Sequence, residues 1–329
     1  MTAAKRLCNF PVEWGGLVLV ALADLVWAHA IHFHLVTGTR DFLLIAIVLA
    51  LMGVARGLKA ERAALVMEYF CLSLVTTAAY GVFSYLAMAS AYGPLRDGPF
   101  LAADRALGFD WPALYRWIMA RPGLALTLQL LYASMLAQGL IAGVVLGMRG
   151  ERHDMRVLFR IIFIASFICC IGAMLAPALG PYQVFHIQGR GAFLIDMKHL
   201  LSHRNLTFRL RELTGVISFP SFHAVVALAY AWGLRRAGLM GMAMLGINAG
   251  MFLSIPAFGG HYLVDVIAGS GVMLLSLVLT YLSFICLPPL PAHARERATT
   301  SPPPARFAHE GEPGLDQASG ETVPAANGF

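Results

Sequence analysis

The feature that most limits this chain is a succession of apolar blocks, each about as long as a bilayer core is thick, separated by short charged stretches. Eight such blocks stand out, at roughly residues 14–35, 41–57, 62–90, 123–148, 157–177, 217–236, 237–257 and 261–287. A backbone crossing hydrocarbon has to satisfy its own hydrogen bonds, so blocks of this length read as helices. The chain is therefore predicted to be an all-α, polytopic membrane helix bundle with about eight transmembrane helices. Composition agrees: of 329 residues, 58% are hydrophobic, 24 are Lys or Arg and 18 are Asp or Glu, about half the charge density of an ordinary soluble domain. A disordered, collagen-like or water-soluble two-domain chain is excluded.

Charge placement predicts the topology. The formal charge is +6, but the basic residues sit at the ends of apolar blocks instead of on one face, so no nucleic-acid partner is expected. With the amino terminus inside, Arg56, Lys59 and Arg62, then Arg149, Arg152 and Arg156, then Arg235 and Arg236, then Arg295 and Arg297 share the cytoplasmic side. Both termini are predicted to be cytoplasmic, and the loops at about 91–122 and 178–216 extracytoplasmic. The first block follows Lys5 and Arg6 like a signal peptide, but no small-residue cleavage site follows it, so it is read as a helix. In the loop at 91–122, Trp111, Tyr115 and Trp117 at helical spacing predict a helix lying at the interface, its rings at headgroup depth. Such a helix either roofs a site near the membrane surface or simply anchors a packed loop. From Pro288 onward stand 8 of the chain's 17 prolines in a Ser/Thr/Gly/Glu background, and residues 288–329 are expected to form a disordered cytoplasmic tail with no catalytic role. Gly246 and Gly250 form one GxxxG, read as close helix packing.

Two short stretches place polar groups where apolar helices begin. The first, Gly215-Val-Ile-Ser218-Phe-Pro220-Ser221-Phe222-His223, runs into an uncharged helix. Pro220 suits a first helical turn, and the free N–H groups there, with the Ser218 and Ser221 hydroxyls, make an anion-binding end. The second, Gly259-Gly260-His261-Tyr-Leu-Val-Asp265, sets a histidine and a carboxylate four apart on one helical face. Asp265 is placed to hold one imidazole nitrogen of His261 and leave the other free to attack. Both helix starts face the same side in the predicted topology, so His223 and His261 are expected to share a pocket. Two histidines, a carboxylate and two helix amino ends suit phosphoryl transfer through a covalent histidine. Arg190, Lys198, Arg204, Arg209 and Arg211 in the intervening loop are candidate cations for the phosphate.

Pro220-Ser221-Phe222-His223 followed by His261-xxx-Asp265 resembles the second and third signature motifs of the type 2 phosphatidic acid phosphatase superfamily. The form PSFH with Gly-Gly-His-Tyr-xx-Asp is more similar to its inositol phosphorylceramide synthase-like branch than to the PSGH phosphatases. The resemblance covers roughly residues 80–285. It implies His261 as nucleophile, Asp265 as its orienting partner and His223 as general acid, within a six-helix catalytic core at 61–287 to which residues 1–60 add two helices. It implies no cofactor and no metal, a membrane lipid as substrate, and a lipid or water as acceptor at the extracytoplasmic face. The superfamily's first motif, KxxxxxxRP, has no literal match: Lys198 and Arg204 are six apart and Asn205 stands where proline is wanted. The arginine six residues before the third-motif histidine is replaced by Ile255. Arg204 is the first choice to grip phosphate, with Lys198, Arg190 and Ser221 beside it.

Three other readings are open at this stage. The same chain as a phosphatase would only hydrolyse. A transporter would use Asp24, Glu68 and the histidines as an ion path. A serine hydrolase would use Ser221, which here lacks a Gly-x-Ser-x-Gly turn. His29 and His32, three apart, are a weak metal pair lacking further ligands.

Overall fold

The computed structural model describes residues 8–187, 191, 193–204 and 206–286. The expected tail at 288–329 and Arg190 lie outside the described residues. Among these residues there are thirteen α-helices, numbered in chain order: α1 (Pro11–Ala30), α2 (Thr39–Gly57), α3 (Glu61–Ala89), α4 (Asp97–Ala106), α5 (Trp111–Met119), α6 (Pro122–Ala133), α7 (Met135–Arg149), α8 (Arg152–Leu175), α9 (Pro181–Val184), α10 (Phe193–Leu201), α11 (Phe222–Gly233), α12 (Leu239–Gly259) and α13 (Leu263–Cys286).

Each of the eight apolar blocks contains a helix, but they are not eight equal spans. Length and apolarity qualify α1, α3, α8, α12 and α13 to cross a membrane, and a sixth crossing forms if α6 and α7, bent by 54°, are one span. At 12 residues, α11 is about 18 Å long against a core of about 30 Å. The 19 residues of α2 include Arg40, Asp41 and Arg56. The bend between α6 and α7 has a local cause at Ser134, whose hydroxyl donates to the Leu131 carbonyl at 2.6 Å and accepts from Gln138 Nε2 at 2.7 Å. A side chain that takes over a helical carbonyl in this way competes with the main-chain ladder.

The main buried cluster joins α3, α7, α8, α11, α12 and α13 through residues such as Leu72, Ala142, Leu158, Val225, Met251 and Met273. Glycines permit the closest approaches. Gly250 leaves room for the Leu131 side chain, whereas nothing lies within 4 Å of a Cβ at Gly246, so only one glycine of the GxxxG serves packing.

At one end of the bundle the two long intervening segments fold together. The end of α3 (Tyr85, Leu86, Met88), Trp111, Leu179, Tyr182, Met197, Leu200 and Val216 share one buried cluster. Tyr85 donates its hydroxyl to the Asp196 carboxylate and accepts from the Thr214 N–H at 2.9 Å. Two three-residue strands pair in parallel here, β1 (His34–Val36) and β2 (Thr207–Arg209), with His34 opposite Thr207 and Val36 opposite Arg209.

The opposite end carries ion pairs. Glu13 of α1 meets Arg156 and Arg160 of α8 at 3.0 and 2.7 Å, and Glu68 of α3 meets Arg56 at 3.0 Å while accepting from Asn9. Arg56 and Arg156, which the sequence suggests as topology signals, are thus partly neutralised by carboxylates. Glu68 is a helix-to-helix tie, while Asp24 is buried with Oδ1 unpartnered.

The helix expected over Trp111, Tyr115 and Trp117 is present as α5. The loop at 91–122 holds two helices, α4 and α5, because Gly108 takes a positive φ of 75° and Asp110 caps α5 by accepting from Ala113 N at 2.9 Å. Trp111 is 1% exposed, so it is a packed anchor and only Trp117 is largely exposed. His29 and His32 do not share a helical face, since α1 ends at Ala30 and His32 has φ 55°. Among the described residues no group of three or more His, Cys, Asp or Glu side chains is arranged to hold a metal ion.

Candidate active site

The chain reaches α11 through Ser218-Phe219-Pro220-Ser221. Pro220 does not enter the first helical turn as expected: α11 begins at Phe222 with Ser221 as its cap residue. Pro220 instead packs on α8, where a Cβ at Gly172 would lie 2.4 Å from its ring. Ser221 is wholly buried and makes no side-chain cap bond. The first bond closing the helix runs from Val225 N to Ser221 O at 3.4 Å. The N–H groups of Phe222, His223 and Ala224 therefore have no protein partner among the described residues. Beside them, the Ser218 and Ser221 hydroxyls are buried and unpartnered. Three main-chain donors and two hydroxyls at the positive end of a helix form an anion-binding arrangement.

The second motif sits in a reversal. Gly259 ends α12, and Gly260 takes φ 63°, where a side chain would be strained and would also meet the Tyr182 ring at 2.8 Å. His261 falls in this turn, before α13 starts at Leu263, and not on a helical face as the spacing suggests. The turn still brings His261 Nδ1 to 3.4 Å from Asp265 Oδ2. That oxygen also accepts from Tyr262 N at 2.9 Å, the reach-back of a third helical residue to its cap. Both His261 and Asp265 are buried.

The amino end of α13, expected to be a second anion site, is already filled. Asp104 of α4 accepts from Leu263 N at 2.9 Å and Val264 N at 3.0 Å. Burial pushes the Asp104 carboxyl above its ordinary range, and the two N–H donors pull it back in part. One turn pair earlier on α4, Asp97 accepts from Leu179 N, Gly180 N and the Tyr262 hydroxyl at 3.0, 2.7 and 3.0 Å. Burial, then the neighbouring Asp97, pushes the Tyr262 phenol up, so it stays a donor. The C-terminal carbonyls of α12 are capped in the same manner, Pro256 O by Trp111 Nε1 at 3.0 Å and Ala257 O by the Tyr182 hydroxyl at 2.6 Å.

These supports bring the two motifs together. Gly269 lets α13 lie directly on α11, since a Cβ there would be 2.3 Å from Ser221 O. Tyr132 of α6 stacks on His223 with ring centroids 4.1 Å apart, its hydroxyl 3.2 Å from Nδ1. A Cβ at Gly259 would touch both His261 Cδ2 at 2.5 Å and that same hydroxyl at 3.0 Å. Both imidazoles thus border the Tyr132 hydroxyl.

The structure brings together His223, His261, Asp265 and Ser221. Lys198, on α10, and Arg204, beyond it, are both exposed, and among the described residues neither makes a hydrogen bond or ion pair to those four. Sequence reasoning missed Asp97, Asp104, Tyr132 and Tyr182. The spacing of Asp97 and Asp104, seven apart on one helical face, was the available signal. Tyr132 carried none, being one aromatic residue in an apolar run.

No curated protein and no solved structure matches the chain significantly. A family model described as PAP2 superfamily matches residues 99–279. The match begins within α4 and ends within α13, so it takes in both motifs with Asp104, Tyr132 and Tyr182 but leaves out α1 to α3 and Asp97. Together with the apolar helices it supports a lipid phosphatase-type function in a multi-pass membrane protein. Spanning more than half of the sequence, it shows that the chain belongs to the PAP2, or type 2 phosphatidic acid phosphatase, superfamily.

Proposed function

We propose that this protein is an integral membrane lipid phosphotransferase or phosphatase that works through a phosphohistidine. The observation that carries the reading is the open amino end of α11, where the Phe222, His223 and Ala224 N–H groups and two serine hydroxyls are unpartnered among the described residues and Ser221 N bonds the main chain of Asp265. In the proposed reaction the phosphate oxygens rest on those donors. Asp265 holds His261 at Nδ1, and the Nε2 lone pair forms the N–P bond. The P–O bond to the leaving group breaks, its electron pair goes to oxygen, and His223 gives that oxygen a proton. A water or lipid hydroxyl then returns a proton to His223 as its oxygen attacks phosphorus, and the N–P bond electrons go back to His261. Arg204 and Lys198, with Arg190, are proposed as the cations that meet the incoming headgroup.

The site is proposed to face the extracytoplasmic side with both termini inside, as the loop charges suggest. The PSFH form supports transfer in the manner of the inositol phosphorylceramide synthase-like branch, on a phospholipid or sphingolipid headgroup. The test is purified protein in detergent given headgroup-labelled phospholipid and either ceramide or diacylglycerol. Label in a new lipid supports transfer, and label only in a water-soluble product, inorganic phosphate from a phosphomonoester lipid or the phosphorylated headgroup from a diester, supports hydrolysis. Full turnover by His261→Ala would sink both.

A further inference from the structure

A second basic site lies apart from the histidines. A pocket of about 370 Å³ opens where the β1–α2 connection and the first turn of α2 meet the end of β2 and the residues just after it, lined by Gly38, Arg40, Asp41, Arg209 and Arg211 among others. The parallel register that sets Val36 opposite Arg209 brings the pocket together from segments far apart in sequence. Within it, Asp41 Oδ2 is already engaged by Gly38 N at 2.7 Å. Glu212 stands 3.7 Å from Arg209 and 3.8 Å from Arg211, longer than hydrogen bonds. All three guanidinium groups therefore keep donors for an incoming anion, and their planar forks match phosphate oxygens.

Directly beyond the pocket runs α2, which packs mainly on α3 and buries only Ala55. Phe42, Leu43, Leu44, Ile47, Leu51 and Val54 are each close to half exposed or more. Arg40 thus stands where a helix begins that presents an apolar side to lipid. We propose that this pocket binds the phosphate of a phospholipid whose acyl chains lie along α2. Charge complementarity selects an anionic headgroup, and the apolar side of α2 selects a lipid over free phosphate. The site joins α2, which lies outside the family match, to the segment that leads into Ser218 and His223.

The experiment is native mass spectrometry of the full-length protein with three probes: a non-hydrolysable dioctanoyl phosphonate analogue of phosphatidic acid, dioctanoylglycerol, and inorganic phosphate. In the combined Arg40→Gln, Arg209→Gln, Arg211→Gln variant, one bound phosphonate lipid is expected to weaken by about tenfold or more, with dioctanoylglycerol binding unchanged. Glu212→Gln, which removes the competing carboxylate, is expected to tighten the same lipid by about two- to fivefold. Should the triple variant fail to fold, this substitution decides alone. Unchanged phosphonate binding in whichever variant is read, or inorganic phosphate competing as well as the lipid, overturns the proposal.

Discussion

The main-chain N–H of Ser221 donates to the main-chain carbonyl of Asp265 at 3.0 Å. This bond ties the start of α11 to the first turn of α13, and with it the motif containing His223 to the motif containing His261. A side chain on either partner is not involved, so the junction depends on how closely the two backbones approach. Gly269, one turn further along α13, is what permits that approach.

Gly269→Ala places a methyl 2.3 Å from a backbone oxygen that cannot swing away. Turnover is expected to fall by about tenfold or more, as displaced reacting groups do. Gly271→Ala on the same helix meets nothing within 4 Å, and its activity should stay within about twofold of the parent, any stability change being the gain of up to about 1 kcal/mol typical of Gly to Ala in a helix. Steady-state kinetics on the pair, with thermal unfolding in detergent, checks this. Equal loss in both would show that the α11–α13 approach is not what matters.

Asp104 is expected to be structural. Asp104→Ala leaves two N–H groups at the α13 start without partners and should cost about 1–3 kcal/mol, with Asp104→Asn restoring part. The pH dependence has a definite sign. Because burial raises this carboxyl above its ordinary 3.8, the unfolded chain loses the proton first as pH rises. Its ionisation therefore subtracts stability from 3.8 upward, and acidification relieves the penalty. The parent's melting temperature should gain on that of Asp104→Asn as pH falls from neutral toward 4. A widening deficit over that range would contradict the assignment.

Tyr132 is proposed to position His223. Tyr132→Phe keeps the stacked ring and removes the hydroxyl 3.2 Å from Nδ1. The expected result is a turnover loss of about three- to tenfold with a displaced limb of the pH–rate profile, because one hydrogen bond to the acid–base group, worth about 1 kcal/mol, is gone. A structural role alone would lower the melting temperature and leave the profile in place.

Ser218 and Ser221 are expected to hold phosphate. Their hydroxyls are buried without partners, so Ser221→Ala removes an unsatisfied group and should leave the fold as stable as before or slightly more so. Vanadate inhibition should weaken by about tenfold, the equivalent of ~1.4 kcal/mol of binding. Inhibition titrations of the two alanine variants decide it, and unchanged affinity in both refutes the role.

His261→Ala and Asp265→Asn are expected to lower turnover by about 10²–10⁴-fold, the range for a positioned acid–base or nucleophilic unit. Asp265→Asn should keep the bond to Tyr262 N through its amide oxygen, so the loss should come without unfolding. Circular dichroism and turnover measured on the same preparation separate the two.

Much of this protein is legible in its residues, for a physical reason. Hydrocarbon forces every crossing segment to satisfy its backbone internally, so apolar blocks of that length become helices whatever their neighbours are. The spacing within each motif is likewise local, and Gly259-Gly260 announces a reversal because so few other residues adopt it. Which helix end is left open for an anion is not local. Asp104 reaches Val264 across 160 positions and fills one end, while Phe222, His223 and Ala224 at the other keep their donors free. Tyr132 meets His223 across 91 positions. Sequence alone determined the membrane-helical class and the two motifs; only the tertiary structure decided which donors remain unpaired and what stands beside each imidazole, because those depend on packing between distant segments.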